Sequence, residues 1–251
     1  MPTFFSVDIP QHELPANPSR LIGRDDVKSE VIKSILDAKP VIILGSGGIG
    51  KTTLALAVLH DDQVVEVYNC RYFVSCDGMT SIDLLLAELA TVLRISTEAR
   101  DQYLKERILR MLRDHSTPAV LCIDNLETLW EIPGLRSSVE SLLAALTRIP
   151  NIATLVTMRG TEKPGQCEWA PLHSLHPLSI DQATQAFKEV TGKRTLDEYG
   201  TKLLDATGGL PLAISLLAHL AQTEGETTED LWDHWQNLGP SFFSRDDGAE
   251  D

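Results

Sequence analysis

The stretch VIILGSGGIGKTT, residues 41–53, constrains this chain more than any other feature. An apolar run ends in a glycine-rich turn, and a lysine and two threonines open whatever follows. Gly45, Gly50, Lys51 and Thr52 fit the spacing G-x-x-x-x-G-K-[ST], which works only between a buried strand and a helix. Glycines let the backbone curl so that successive N–H groups point inward, and the helix start adds partial positive charge. Gly48, Ile49, Gly50 and Lys51 are therefore expected to offer amides to phosphates. The Lys51 ammonium is expected to reach the β- and γ-phosphates, and the Thr52 hydroxyl to ligate Mg²⁺.

Charge sets a condition on that reading. Lys plus Arg number 22 against 36 Asp plus Glu, a formal charge of −14, so the global field repels a polyphosphate. Affinity has to come from local donors and a divalent cation. The same balance argues against a broad nucleic-acid surface, which needs basic residues gathered on one face. The sequence has no apolar run of membrane-spanning length, and MPTFFSVDIPQHELP lacks the basic and apolar regions of a signal peptide. Cys70, Cys76, Cys122 and Cys167 form no CxxC pair, and Cys122 reads as a small buried thiol. A reducing, cytoplasmic setting is expected.

Along the chain, Asp25 to Ala38 reads as a helix stopped by Pro40, Val41 to Leu44 as a buried strand, and Lys51 to His60 as a helix. Val64 to Ser75 should contain a strand. Ser81 to Leu93 and Ala99 to Asp114 read as helices, Ala119 to Ile123 as an apolar strand ending in Asp124, Leu135 to Ile149 as a helix and Ile152 to Thr157 as a strand. Leu172 to Leu175 is a candidate fifth strand. Apolar strands alternating with helices predict an α/β fold with a parallel sheet. After Pro177 only helical patterns follow: SIDQATQAFKEV, TLDEYGTKLLDAT, LPLAISLLAHLAQ and TTEDLWDHWQNL. The expected organisation is an extended lead-in over 1–18, a nucleotide-binding domain over 19–176, a helical subdomain over 177–240 and an acidic tail over 241–251. The face of SIDLLLAELATVL and the pair Trp232 and Trp235 read as core packing rather than partner surfaces.

The site needs more than its loop. VLCID, residues 120–124, is an apolar strand whose last residue, Asp124, is placed to hold Mg²⁺ beside a nucleotide. Many P-loop ATPases set Glu directly after such an Asp, but Asn125 stands there. The nearest carboxylates are Glu127 and Glu131. Glu127 either swings toward the γ-phosphate or is a solvated helix-end residue, and slow turnover is expected. Arg159 follows the strand IATLVT, and ligands of parallel sheets lie at the carboxyl ends of strands. It is either a clamp on the γ-phosphate or an exposed loop cation.

Several pieces in this order resemble the NB-ARC branch of the STAND class of P-loop NTPases, the nucleotide switches of NOD-like receptors and apoptotic activators. SRLIGRDDV (19–27) resembles the segment that closes over adenine, GSGGIGKTT the phosphate loop, and LCIDNLE (121–127) the metal-binding strand. LVTMRG (155–160) resembles the Thr-x-Arg sensor, LHPLSIDQATQAF (175–187) the start of the first helical subdomain, and GGLPLAI (208–214) the GLPLA motif. The resemblance implies a sensor strand between the loop strand and the metal strand. It places Ile22 and Arg24 near adenine, and Gly45, Gly47, Gly48, Ile49, Gly50, Lys51, Thr52 and Thr53 on phosphate and Mg²⁺. Asp124 falls on the metal, Arg159 on the γ-phosphate and Pro211 on the nucleoside. From residue physics alone, Gly209 and Pro211 read as a helix start.

The resemblance also implies ADP at rest, exchange for ATP on activation, and assembly with like subunits or other protein domains, in a role such as innate immunity. No winged-helix segment with the family's Met-His-Asp motif is seen, so an excised core is expected rather than a short natural form. Competing readings are an efficient ATPase that remodels a partner, a small-molecule kinase, and a scaffold that holds nucleotide without hydrolysing it.

Overall fold

A computed structural model describes residues 14–97, 102–172, 174–192, 196–222 and 227–239. The acidic tail, most of the lead-in and the first turn expected from Ala99 lie outside the described residues. The chain divides into two compact units. The first comprises 1–19, 26–44 and 51–174; the second comprises 20–25, 45–50 and 175–251.

The first unit is built on β1 (Val41–Leu44), β2 (Cys70–Ser75), β3 (Ala119–Asp124) and β4 (Ile152–Met158), all parallel, in the order β1-β4-β3-β2. The sensor strand β4 thus lies between the loop strand and the metal strand. Strands β1, β3 and β4 are buried at every position, which explains their unbroken apolar sequences. Edge strand β2 is buried only on alternate residues, Tyr72 and Val74.

Helices α1 (Asp25–Leu36), α2 (Lys51–Leu59), α4 (Ile82–Val92), α5 (Leu104–Arg113) and α7 (Arg136–Leu146) follow the apolar spacing of the sequence. Leu85, Leu89, Ile108, Leu112, Leu142 and Leu146 enter one core with Leu121, Ile123 and Val156 of the sheet. Each such side chain, fully buried, stabilises the fold by about 1.5–3 kcal/mol. Ser81 caps α4 by accepting the Leu84 amide, as its position before an apolar run predicts.

Two short helices interrupt stretches read otherwise. α3 (Asp62–Val67) occupies the first part of the segment expected to carry β2. Its β-branched valines favour a strand, but Asp61 accepts the Gln63 amide and starts a helix in which Val64 alone is buried. α6 (Glu127–Trp130) is a single turn after β3. The fifth strand expected over Leu172 to Leu175 is absent among the described residues. One backbone bond does reach β1's flank, from the Ala170 amide to the Pro40 carbonyl at 2.8 Å. Pro171 then has no N–H to continue a ladder, and Pro40 has none to return.

The second unit contains α8 (Ile180–Thr191), α9 (Glu198–Ala206), α10 (Pro211–Leu220) and α11 (Thr228–Leu238). Its small core gathers Leu178, Phe187, Leu203, Leu204, Ile214 and Leu217, with Trp232 and Trp235 packed against it. Its helix ends are explicitly capped. Ser179 with Gln182, and Thr227 with Asp230, form reciprocal capping boxes, and Pro211 opens α10.

Candidate functional site: a carboxylate cluster and a glycine loop

In the first unit the polar groups gather at the carboxyl ends of β3 and β4. Ile123 pairs with Val156, which sets Asp124 beside Thr157. The Thr157 hydroxyl donates to Asp124 Oδ1 at 2.5 Å. The Thr52 hydroxyl, from the second residue of α2, donates to both Asp124 oxygens at 2.9 and 3.0 Å. Thr157 also accepts the Asn125 amide at 3.0 Å. Burial pushes the Asp124 carboxyl above the usual range, and the Thr157 and Thr52 hydrogen bonds oppose that shift. A buried carboxylate beside a hydroxyl is a hard oxygen donor set, and it fits Mg²⁺.

Lys51 opens α2 and is 6% exposed. Burial lowers the pKa of its ammonium, and the Glu127 carboxylate does most to hold it up. No acidic residue lies in the first turn of α2, so its N-terminal charge stays available to an anion. Thr53 is the third residue of this helix, half-buried.

Glu127 is not the solvated helix-end residue that its sequence position allows. It begins α6, and its side chain is only 8% exposed. Its carboxylate accepts Arg159 Nε at 3.0 Å and the Arg159 backbone amide at 3.1 Å. The local turn explains this placement. Asn125 takes a left-handed conformation with φ of 55°, one that asparagine tolerates better than most residues. The Leu126 amide then bonds the Thr157 carbonyl at 3.0 Å, which brings α6 back over the end of β4. Arg159, immediately after β4, is 63% exposed along its side chain but ion-paired. Glu131 is exposed.

In the second unit the glycine loop is held mainly through its backbone. Arg24 Nη2 donates to the Ile49 carbonyl at 3.2 Å and to the His176 carbonyl at 2.8 Å. Ile22 is half-buried, Gly45 and Ile49 are buried, and Gly47 and Gly50 are partly covered. Gly48 has φ of 72°, and a Cβ there would lie 3.1 Å from that of Leu212. Its carbonyl accepts the Leu212 amide at 3.2 Å, satisfying a donor that a helix N-terminus leaves unpaired. Pro211, just before, occupies the first position of α10. Gly209 has φ of 71°, accepts the Leu178 amide on its carbonyl at 2.8 Å, and has no room for a Cβ against the Leu178 carbonyl.

Thr157, Leu212 and His176 contribute contacts that the motif residues alone do not name. Thr157 carries a sequence signal, as the threonine of the Thr-x-Arg pattern. Leu212 and His176 act through backbone atoms, and their side-chain identity gives no sign of it.

The strand order, the glycine loop and the Thr52–Asp124 pair define a P-loop NTPase fold. The AAA_22 family profile, described as an AAA domain, matches residues 35–163, and the chain belongs to that family. Its relatives are NB-ARC disease resistance proteins. It is 26% identical over 244 residues to disease resistance protein RGA5 of Oryza sativa subsp. japonica, covering 89% of this chain and 21% of that protein. Against an RPP13-like disease resistance protein of Arabidopsis thaliana, identity is 23% over 248 residues, covering 88% of this chain and 22% of the relative. The chain thus spans about a fifth of the length of the curated relatives it matches.

Among solved structures, the Orc1 protein of Aeropyrum pernix in complex with DNA superposes with a TM-score of 0.65 at 16% identity, covering 83% of this chain and 63% of that one. A STAND protein with a tetratricopeptide repeat sensor from Pyrococcus horikoshii gives a TM-score of 0.55 at 19% identity, covering 90% of this chain and 34% of that one. These likenesses show the fold. No helix among the described residues is long and apolar enough to cross a membrane.

Proposed function

We propose that the chain is the core of a nucleotide-gated switch in a cytoplasmic signalling protein, binding ADP or ATP with Mg²⁺ and hydrolysing ATP slowly at most. The observation that carries the reading is the Thr52–Asp124 hydrogen bond, which brings together two motifs 72 residues apart, and we assign the pair to Mg²⁺. The kinship with NB-ARC disease resistance proteins supports a sensing role, with activation read by like subunits or other protein domains.

In this reading the amides of the glycine loop and the start of α2 bind phosphate oxygens, and Lys51 neutralises their charge. Mg²⁺, when bound, would supply further neutralisation of the phosphate charge. Thr52 and Asp124 would hold it, with Thr157 orienting the carboxylate. Ile22, Arg24 and Pro211 are assigned to the adenine and sugar. Slow turnover is expected because Asn125, the residue directly after Asp124, is uncharged. Glu127 Oε2 is held by the Arg159 backbone amide, which also disfavours an efficient ATPase.

The test is to denature the purified protein and identify released nucleotide by chromatography. About one ADP or ATP per chain is expected, and Lys51→Ala should lower affinity by about a hundredfold, as loss of a charge-assisted phosphate contact does. An empty site that turns added ATP over at about 1 s⁻¹ or faster would replace the switch with an enzyme.

A further inference from the structure

The Glu127–Arg159 pair is asymmetric in a way that assigns it a task. Glu127 is fixed: it starts a helical turn, its side chain is 8% exposed, and the segment before it is fastened to β4 by two hydrogen bonds from Asn125 and Leu126 to Thr157. Arg159 is the exposed member, with a long side chain that is 63% exposed. A carboxylate so buried is costly without a cationic or N–H partner. One partner would remain if the guanidinium left: the Arg159 backbone amide stays on Oε2 at 3.1 Å, while the charge of Glu127 raises the pKa of the Lys51 ammonium. The guanidinium can therefore be exchanged without leaving Glu127 isolated.

We propose that Glu127 is a resident counter-anion for Arg159, holding its guanidinium on the protein until the terminal phosphate of a nucleoside triphosphate takes it over. Glu127 thereby sets how strongly the site prefers ATP to ADP. The inference rests on the nucleotide reading above and deepens it. ADP leaves the pair intact, because it brings no third phosphate to compete for the guanidinium. ATP has to break the Nε contact at 3.0 Å, so each triphosphate bound exchanges one charge-assisted hydrogen bond for another. Glu127 acts here through Arg159 and is a positioning residue.

The experiment measures affinity for ADP and for a non-hydrolysable ATP analogue, each with Mg²⁺, by calorimetry on nucleotide-stripped protein. Glu127→Gln should raise the affinity ratio of triphosphate to diphosphate about three- to tenfold, the range of an ion pair with one exposed member. Arg159→Gln should collapse the wild-type ratio, and adding Glu127→Gln to it should change nothing further. An unchanged ratio in Glu127→Gln overturns the proposal. So does an equal loss of both ligands, which marks a structural residue, or the same rise without Arg159. If Glu127→Gln does not fold, Glu127→Asp keeps the charge but withdraws it by one methylene, and should shift the ratio in the same direction. Wild-type protein that binds neither ligand overturns the nucleotide reading itself, a result distinct from a bound but unshifted ratio.

Discussion

The two units hold their polar groups in different ways. In the sheet unit the work falls to side chains: Thr52, Asp124, Thr157, Glu127 and Arg159 meet through hydroxyls, carboxylates and a guanidinium. In the helical unit it falls largely to the backbone, with the carbonyls of Gly48, Ile49, His176 and Gly209 accepting the bonds that shape the loop. Side-chain sites fail by losing a functional group. Backbone sites fail by gaining an atom where there is no room.

Adding a methyl group should accordingly have the largest effect. Gly209→Ala places a side chain at a positive φ and against the Leu178 carbonyl, and should destabilise the helical unit by roughly 3 kcal/mol. Hydrogen exchange over 196–222 should report it as lost protection; unchanged protection would show that the segment yields. Removing a hydroxyl should cost less. Thr157→Val deletes the donor to Asp124 and the acceptor of the Asn125 amide, for about 2 kcal/mol in urea unfolding of the sheet unit.

The smallest effect concerns thiols, and it isolates one unit because all four cysteines belong to the sheet unit. At pH 8, Cys70 and Cys167 should alkylate in the native protein, and the buried Cys76 and Cys122 only after unfolding. Burial, reinforced by Asp124 and Glu127, pushes the Cys76 thiol from 9.0 up to about 12. The unfolded chain then loses that proton first, so the contribution to stability is intact below pH 9 and falls as pH rises toward 12. Native labelling of Cys76 at pH 8 would show that the sheet end opens.

The same division explains what the sequence made legible. Parallel strands buried on both faces must be apolar throughout, so β1, β3 and β4 stand out, as does the carboxylate that ends β3. Strand β2 was blurred because the valines of α3 precede it, and strand propensity there yields to the Asp61 cap. The role of Asn125 could not be seen as more than a missing acid. Its left-handed backbone is what turns Glu127 toward Arg159, and that is a property of the turn rather than of its side-chain charge. The proline-flanked segment near Leu172 misled in the opposite direction, offering apolar residues to an edge that Pro40 and Pro171 cannot bond.

The sheet order has one more consequence, for synthesis. Among the described residues strand β1 pairs with β4 alone, and Val41 meets Leu155, a separation of 155 − 41 = 114 residues. At ribosomal rates of about 5–20 residues per second, the first strand made waits roughly 6–23 s for its partner. Until then an apolar segment is without its neighbour, while β2 and β3 can already pair. The earliest strand is thus among the last to find its place, and the nascent chain must keep it from wrong partners throughout that interval.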